Sequence, residues 1–412
     1  MIQKYTCNNG LRIVLEEIPT VRSVAIGIWI GTGSRNENEK NNGISHFLEH
    51  MFFKGTEKRS AKDIAEAFDA IGGQVNAFTS KEYTCFYAKV LDTHAPLALD
   101  ILSDMFFHST FSEEEMEREK SVVNEEIKMY EDTPDDIVHD LLGKAIYENH
   151  PLGYPILGTE ETLASFTSDD LHQYVYDMYT PDRVVVSVAG NVLPSFVKEI
   201  EALFGSYEGG KEETGGETAV FHTNDLARKK ETEQAHLCLG FEGKKIGSDD
   251  IYELIVLNNI LGGSMSSRLF QNVREQRGLA YSVYSYHTAY KDSGILTIYG
   301  GTGASQLDEL FETVQETLQT LKAKGVTEKE VRNCKEQLKG SLMLSLESTN
   351  SRMSRNGKNE LLLKKHRSLD EMLEEIDRVT VEKVNACARE IFSKPYSASL
   401  ISPDGKLPER LS

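Results

Sequence analysis

Two copies of one plan run through this chain, and that repeat constrains its fold more than any other feature. A run of β-branched and aromatic residues from Val24 to Ile30 has a counterpart from His236 to Phe241. Each is followed by a helical stretch and then by glycine leading into a strand, Gly72-Gly73 before Gln74–Phe78 and Gly278 before Leu279–Tyr284. Long helices come next, opened by related capping patterns at Ser112-Glu113-Glu114-Glu115 and Thr327-Glu328-Lys329-Glu330. Each copy closes with a helix, a proline and a strand, through Thr167, Pro181 and Val188, and through Thr380, Pro395 and Ile401. Matching landmarks lie roughly 206 to 215 residues apart, as in an internal duplication.

Between the copies, Glu208 to Thr218 holds only glycine, threonine and charged residues. It has nothing to pack and reads as a linker. The expected organisation is therefore two homologous domains, residues 1–207 and 219–412, joined by 208–218. Strands and helices mix without strict alternation of strand and crossover helix. That predicts an α+β fold, each domain a largely antiparallel sheet with helices packed on one face.

Bulk properties remove several classes of function. A net charge of -20 would repel nucleic acid. It favours basic ligands if the acids line a cleft, although a merely soluble acidic surface accounts for it equally well. No run approaches the ~18 apolar residues of a membrane span, and no membrane insertion is expected. Met1 to Cys7 lacks the regions of a signal peptide. The five cysteines are scattered and form no CxxC pair, which predicts reduced, buried thiols in a cytoplasmic protein and no cysteine metal site.

The chemistry concentrates between Gly43 and Gly55. Ile44, Phe47, Leu48, Met51 and Phe52 keep helical spacing and form one apolar face. At about 100° per residue, His46, Glu49 and His50 centre on the opposite side. Two histidines at i and i+4 aim their imidazoles at one point, as a tetrahedral metal requires. A glutamate between them can take a proton from a metal-bound water. In a chain with 11 histidines such a motif also arises by chance, so a third ligand matters.

Periodicity picks that ligand out of the acid-rich helix from about Ser112 to Glu131. Met116, Val122, Val123 and Tyr130 define its apolar stripe, with Glu119 and Glu126 inside it and Glu115 near its edge; Glu117, Glu125 and Glu131 point away. Carboxylates on a buried face are costly unless paired or bound to a cation. Glu126 is the expected third ligand, and Glu119 the expected partner that orients His50. The second copy lacks all of these groups. His46–His50 aligns with Tyr252–Val256, and Glu119 and Glu126 align with Cys334 and Ser341. One metal per chain is expected.

His46-Phe-Leu-Glu-His50 with Glu119 and Glu126 downstream matches the inverzincin pattern. Over essentially its whole length the chain resembles the pitrilysin-like zinc metallopeptidases, and most of all the bacterial single-chain relatives of the mitochondrial processing peptidase β-subunit. The resemblance implies zinc held by His46, His50 and Glu126, Glu49 as the base and Glu119 in support. It implies that Asn76, Ala77 and Phe78 lie on an edge strand that takes an extended peptide as an added strand. It further implies that Arg274 holds substrate and Tyr281 stabilises the oxyanion. Taken alone, the first three read equally as an ordinary edge strand, Tyr281 as a strand aromatic and Arg274 as a surface charge.

The expected activity is zinc-dependent endoproteolysis of unfolded or short peptides, basic ones in particular, inside a closed chamber. One metal domain and one Arg274/Tyr281 domain make half of such a chamber, so a homodimer with sites completed in trans is expected. The rival readings are a non-catalytic scaffold of the same fold and a metal-dependent hydrolase acting on something other than peptides.

Overall fold

The computed structural model describes residues 2–210, 216–409 and 411; the middle of the expected linker, residues 211–215, lies outside them. Packing divides the chain into two compact units. The first comprises Met1–Lys128, Tyr154–Gly216 and Met343–His366, and the second Met129–Gly153, Glu217–Leu342 and Arg367–Ser412.

In the first unit, strands β1 (Ile2–Thr6), β2 (Arg12–Glu17), β3 (Ser23–Ile30), β4 (Gln74–Thr79), β5 (Thr84–Leu91) and β6 (Val184–Gly190) form a sheet in the order β1-β2-β6-β3-β5-β4. Only the β2/β6 pair is parallel. β3 is buried along nearly its whole length, the mark of a strand covered on both faces. Val24, Ile26, Ile28 and Ile30 pack with Phe47, Leu48 and Met51 of the helix Ile44–Met51 and with Leu99 and Leu102 of the helix Ala95–His108. Ala25 and Trp29 point to the other face and meet Met353 of the helix Thr349–Leu362. That helix comes in close at glycines: a Cβ on Gly357 would lie 2.3 Å from Trp29 Nε1, so no larger residue fits there unless the indole shifts.

The second unit repeats the arrangement with β7 (Asp225–Lys229), β8 (Ala235–Glu242), β9 (Ala280–Ala289), β10 (Gly294–Thr302) and β11 (Ser397–Ser402), in the order β7-β11-β8-β10-β9. Again one pair, β7/β11, is parallel. Leu237, Leu239, Leu296, Ile298 and Leu400 pack with Leu254, Leu310 and Val384 from helices on one face. Ile137, Val138, Leu142 and Ile146 of the helix Pro134–Tyr147 cover Cys238, Ile295, Tyr299 and Ile401 on the other.

The α+β class and the two related sheets are as expected. Two details differ. Helices cover both faces of each sheet, and the compact units do not follow the division at 208–218. Each half of the chain gives a helix to the unit built mainly from the other half, Pro134–Tyr147 in one direction and Thr349–Leu362 in the other. The driving force is simple: each sheet has a second apolar face that must be removed from water, and the covering helix need not be close in sequence. All five cysteines are free and buried. Among the described residues, no helix is long and apolar enough to cross a membrane.

Candidate metal centre

The helix Ile44–Met51 buries Ile44, Phe47, Leu48 and Met51 against the first sheet, which leaves His46, Glu49 and His50 on its other side. The helix Glu113–Glu131 lies across from them, with Met116, Glu119 and Val123 buried. Between the two helices, ligand atoms of His46, His50 and Glu126 come within 4.8 Å of one another. His46 Nε2 is 3.8 Å from one Glu126 oxygen, and His50 Nε2 is 3.5 Å from the other. Both distances exceed a normal hydrogen bond. Four ligands at ordinary Zn–N and Zn–O bond lengths would stand about 3.3 Å apart around the ion. The nitrogen, nitrogen and carboxylate donors therefore fit zinc in both type and spacing.

The two imidazoles differ in their electrostatics. Burial, helped by neighbouring His50, lowers the His46 pKa to about 3, so the imidazole stays neutral and free to ligate. Burial would also lower His50, but the Glu119 hydrogen bond and three surrounding carboxylates outweigh it and hold its pKa above the ordinary value. His50 Nδ1 donates to Glu119 Oε1 at 2.8 Å, which leaves Nε2 facing Glu126. Glu119 is 4% exposed. Burial would raise its pKa, yet the bonds to His50 and Lys54 win and lower it. Lys54 Nζ sits 2.5 Å from Glu119 Oε2.

Glu49 lies on the same helix face. Its pKa is raised, chiefly by burial, against an opposing hydrogen bond from Thr79 Oγ1 at 2.6 Å. Thr79 ends β4, which pairs only with β5 and so forms an edge of the sheet. Asn76, Ala77 and Phe78 are on that strand: Asn76 is exposed, Ala77 is buried, and Phe78 packs edge-on against Trp29.

Helical phase sorts the acids as expected, with one correction. The Glu126 side chain is 35% exposed and that of Glu125 75%. Val122, however, is 52% exposed, because Met116 and Val123 make the helix's contact with the core. Sequence reasoning places Thr79 on the edge strand with Asn76–Phe78 but gives no sign of its contact with Glu49, and it gives no sign of Lys54 as a site residue. Lys54 belongs to no motif, and Thr79 reaches Glu49 only through the fold.

The second unit contains the same pair of helices without the ligands. In Ile251–Gly262 and Glu328–Ser345, the Cys334 thiol reaches the Val256 carbonyl at 3.7 Å, at the positions equivalent to Glu119 and His50. This unit also holds Arg274 and Tyr281. Arg274 Nη1 donates to the Tyr281 carbonyl at 2.9 Å, and its guanidinium lies 4.4 Å from the centre of the Tyr281 ring. Tyr281 is 78% exposed at the start of β9, an edge strand of its sheet.

Comparison with known proteins gives a consistent set of matches. Residues 12–160 match the family model for Insulinase (Peptidase family M16), and residues 165–338 that for the Peptidase M16 inactive domain. A Bacillus subtilis protein described as the uncharacterized zinc protease YmxG is 70% identical over 408 residues, covering 99% of this chain and 100% of that one. An uncharacterized zinc protease of Streptomyces coelicolor is 42% identical, covering 98% and 90%. Among solved structures, a protease from Helicobacter pylori superposes with a TM-score of 0.91 at 22% identity, covering 98% of this chain and 99% of that one. A Pseudomonas fluorescens structure described as a peptidase M16 inactive domain gives 0.92 at 20% identity, covering 99% of each. At these identities the two structures establish the fold alone.

Proposed function

The chain belongs to peptidase family M16, the insulinase family, and from that premise we propose that it is a zinc-dependent endopeptidase acting on extended peptides. The observation that carries the proposal is the convergence of His46, His50 and Glu126 within 4.8 Å, with Glu49 on the same helix face. The fold does not require these groups, since the second unit packs its equivalent helices with Val256 and Cys334 in their place. That argues against a scaffold that has merely kept them.

His46, His50 and Glu126 would hold the ion. When bound, zinc polarises a peptide carbonyl and lowers the pKa of a water. Glu49 would take a proton from the attacking water and later hand it to the leaving amine, and its burial-raised pKa suits both transfers. Glu119 keeps His50 in the tautomer that presents Nε2. Edge strand β4 offers an unpaired backbone to an extended peptide, which favours unfolded or short substrates. The charge of -20 favours basic ones. Arg274 and Tyr281 are proposed to hold the peptide and to stabilise the oxyanion, supplied by a second copy of the chain.

The test is metal analysis together with mass spectrometry of products from an unbiased peptide library. About one zinc per chain is expected, with cleavage abolished by a chelator and restored by zinc. Two metals per chain, or cleavage indifferent to chelation, would overturn the proposal.

A further inference from the structure

The metal helix is short, Ile44–Met51, and its N-cap is Gly43, which has no side chain to cap the first turn. Gly43 also holds a left-handed backbone, φ 95°, and a Cβ there would lie 2.8 Å from Gly158 Cα, so no capping residue can replace it. Eight residues make little more than two turns, a length at which a helix needs outside support. Yet this one must hold three functional side chains in a fixed direction.

The support comes from Glu37, six residues before the N-cap and 3% exposed. One of its carboxylate oxygens accepts from the Gly43 backbone N–H at 2.8 Å and from Asn42 Nδ2 at 2.9 Å. The other accepts from the Ser45 N–H at 2.9 Å. Asn42 Nδ2 bridges on to the Pro155 carbonyl at 2.9 Å, and the Ser45 hydroxyl is hydrogen-bonded to Tyr174 at 3.0 Å. A buried carboxylate thus satisfies donors that would otherwise be orphaned at the helix start, and its charge complements the positive end of the helix dipole. Burial raises the Glu37 pKa, with the bonds from Gly43, Ser45 and Asn42 opposing it; both oxygens accept, so the anion is the form that fits all three donors. His46 follows Ser45 directly, and Glu49 and His50 lie one turn further on.

We propose that Glu37 is a positioning residue for the metal centre: its carboxylate clamps the first turn of the Ile44–Met51 helix and sets the direction in which His46, Glu49 and His50 project. The proposal rests on the metallopeptidase reading above, whose own check is zinc binding by the unaltered protein. Glu37→Gln keeps the shape but turns an NH2 group toward a backbone N–H. Its zinc affinity, measured by competition with a chromogenic chelator, should fall about 10- to 100-fold, as when groups behind a metal ligand are removed. On peptide, kcat should fall while KM stays within about twofold, because β4 is untouched. The Ser45 amide should exchange its hydrogen faster. A role confined to stability would instead lower the Tm and leave zinc affinity and kcat unchanged in the folded fraction, and that result overturns the proposal. If Glu37→Gln does not fold, Asn42→Ala reads the same clamp more gently. It removes one of the three donors and should weaken zinc binding about threefold; unchanged zinc affinity in that variant also overturns the proposal. Failure of the unaltered protein to bind zinc would instead remove the metallopeptidase reading itself, and the positioning role with it.

Discussion

The Thr79 hydroxyl donates to the Glu49 carboxylate at 2.6 Å, so the last residue of edge strand β4 holds the proposed base in place. Thr79→Val keeps the shape and deletes the donor. It should lower kcat about tenfold, the scale of a lost hydrogen bond to a charged group, with zinc content unchanged. Glu49→Gln should cost ~100-fold or more while still binding zinc, because an amide accepts no proton. Steady-state cleavage of one fluorogenic peptide by both variants checks the order. A Thr79→Val enzyme as fast as wild type would separate β4 from the base.

Glu126→Gln should lose most of the bound zinc, whereas Glu125→Gln should keep it. The two differ by one position in sequence but not in surroundings: Glu126 faces both imidazoles, while Glu125 pairs with Lys128 at the surface. Elemental analysis after dialysis decides, and equal losses would refute the helical-face argument.

Acid should weaken the first unit through Asp104. This buried carboxylate accepts from Thr56 Oγ1 at 2.8 Å and from Arg59 Nη1 at 2.6 Å. Burial would raise its pKa, but those bonds outweigh it and hold the pKa below the ordinary value. A group with a depressed folded pKa contributes stability that is present above its unfolded pKa, near 3.9, and is lost as pH falls through the folded one. Asp104→Asn should therefore lower the Tm by about 2–4 °C at pH 7. The gap from wild type should narrow as pH falls below about 3.9 and on through the depressed folded pKa, as followed by circular dichroism. A gap independent of pH would show that the charge of Asp104 contributes nothing.

Mixing separates sites completed in trans from sites completed within one chain. Glu49→Gln and Arg274→Ala chains should each be nearly inactive alone. Co-refolded, about half the dimers are mixed and each mixed dimer has one intact site, so activity should return toward about a quarter of wild type. Mixed dimers that form and stay inactive would exclude completion in trans.

Much of this site was legible in the sequence because helical phase is local. His46, Glu49 and His50 share a face by spacing alone, and Glu119 and Glu126 stand out as acids inside an apolar stripe. Val256 and Cys334, equivalent to His50 and Glu119, mark by contrast which copy lacks the ligand set. What escaped was contact between distant segments. Glu37 is one acid among many until the fold buries it under Gly43 and Ser45. Thr79 and Lys54 likewise gain their partners only through tertiary packing. The exchanged helices escaped for the same reason: amphipathicity says that a helix has a face to bury, not which sheet will receive it.

That exchange bears on how the protein is made. All six strands of the first sheet exist once Gly190 has been synthesised, but the helix covering Trp29, Val185 and Ala189 is complete only at Leu362. At ordinary translation rates about 170 residues take roughly ten to thirty seconds. For that time the nascent chain presents a bare apolar sheet face with no cover of its own. Newly made chains should therefore depend on chaperones, and fragments released before Thr349 should aggregate rather than fold as an independent half.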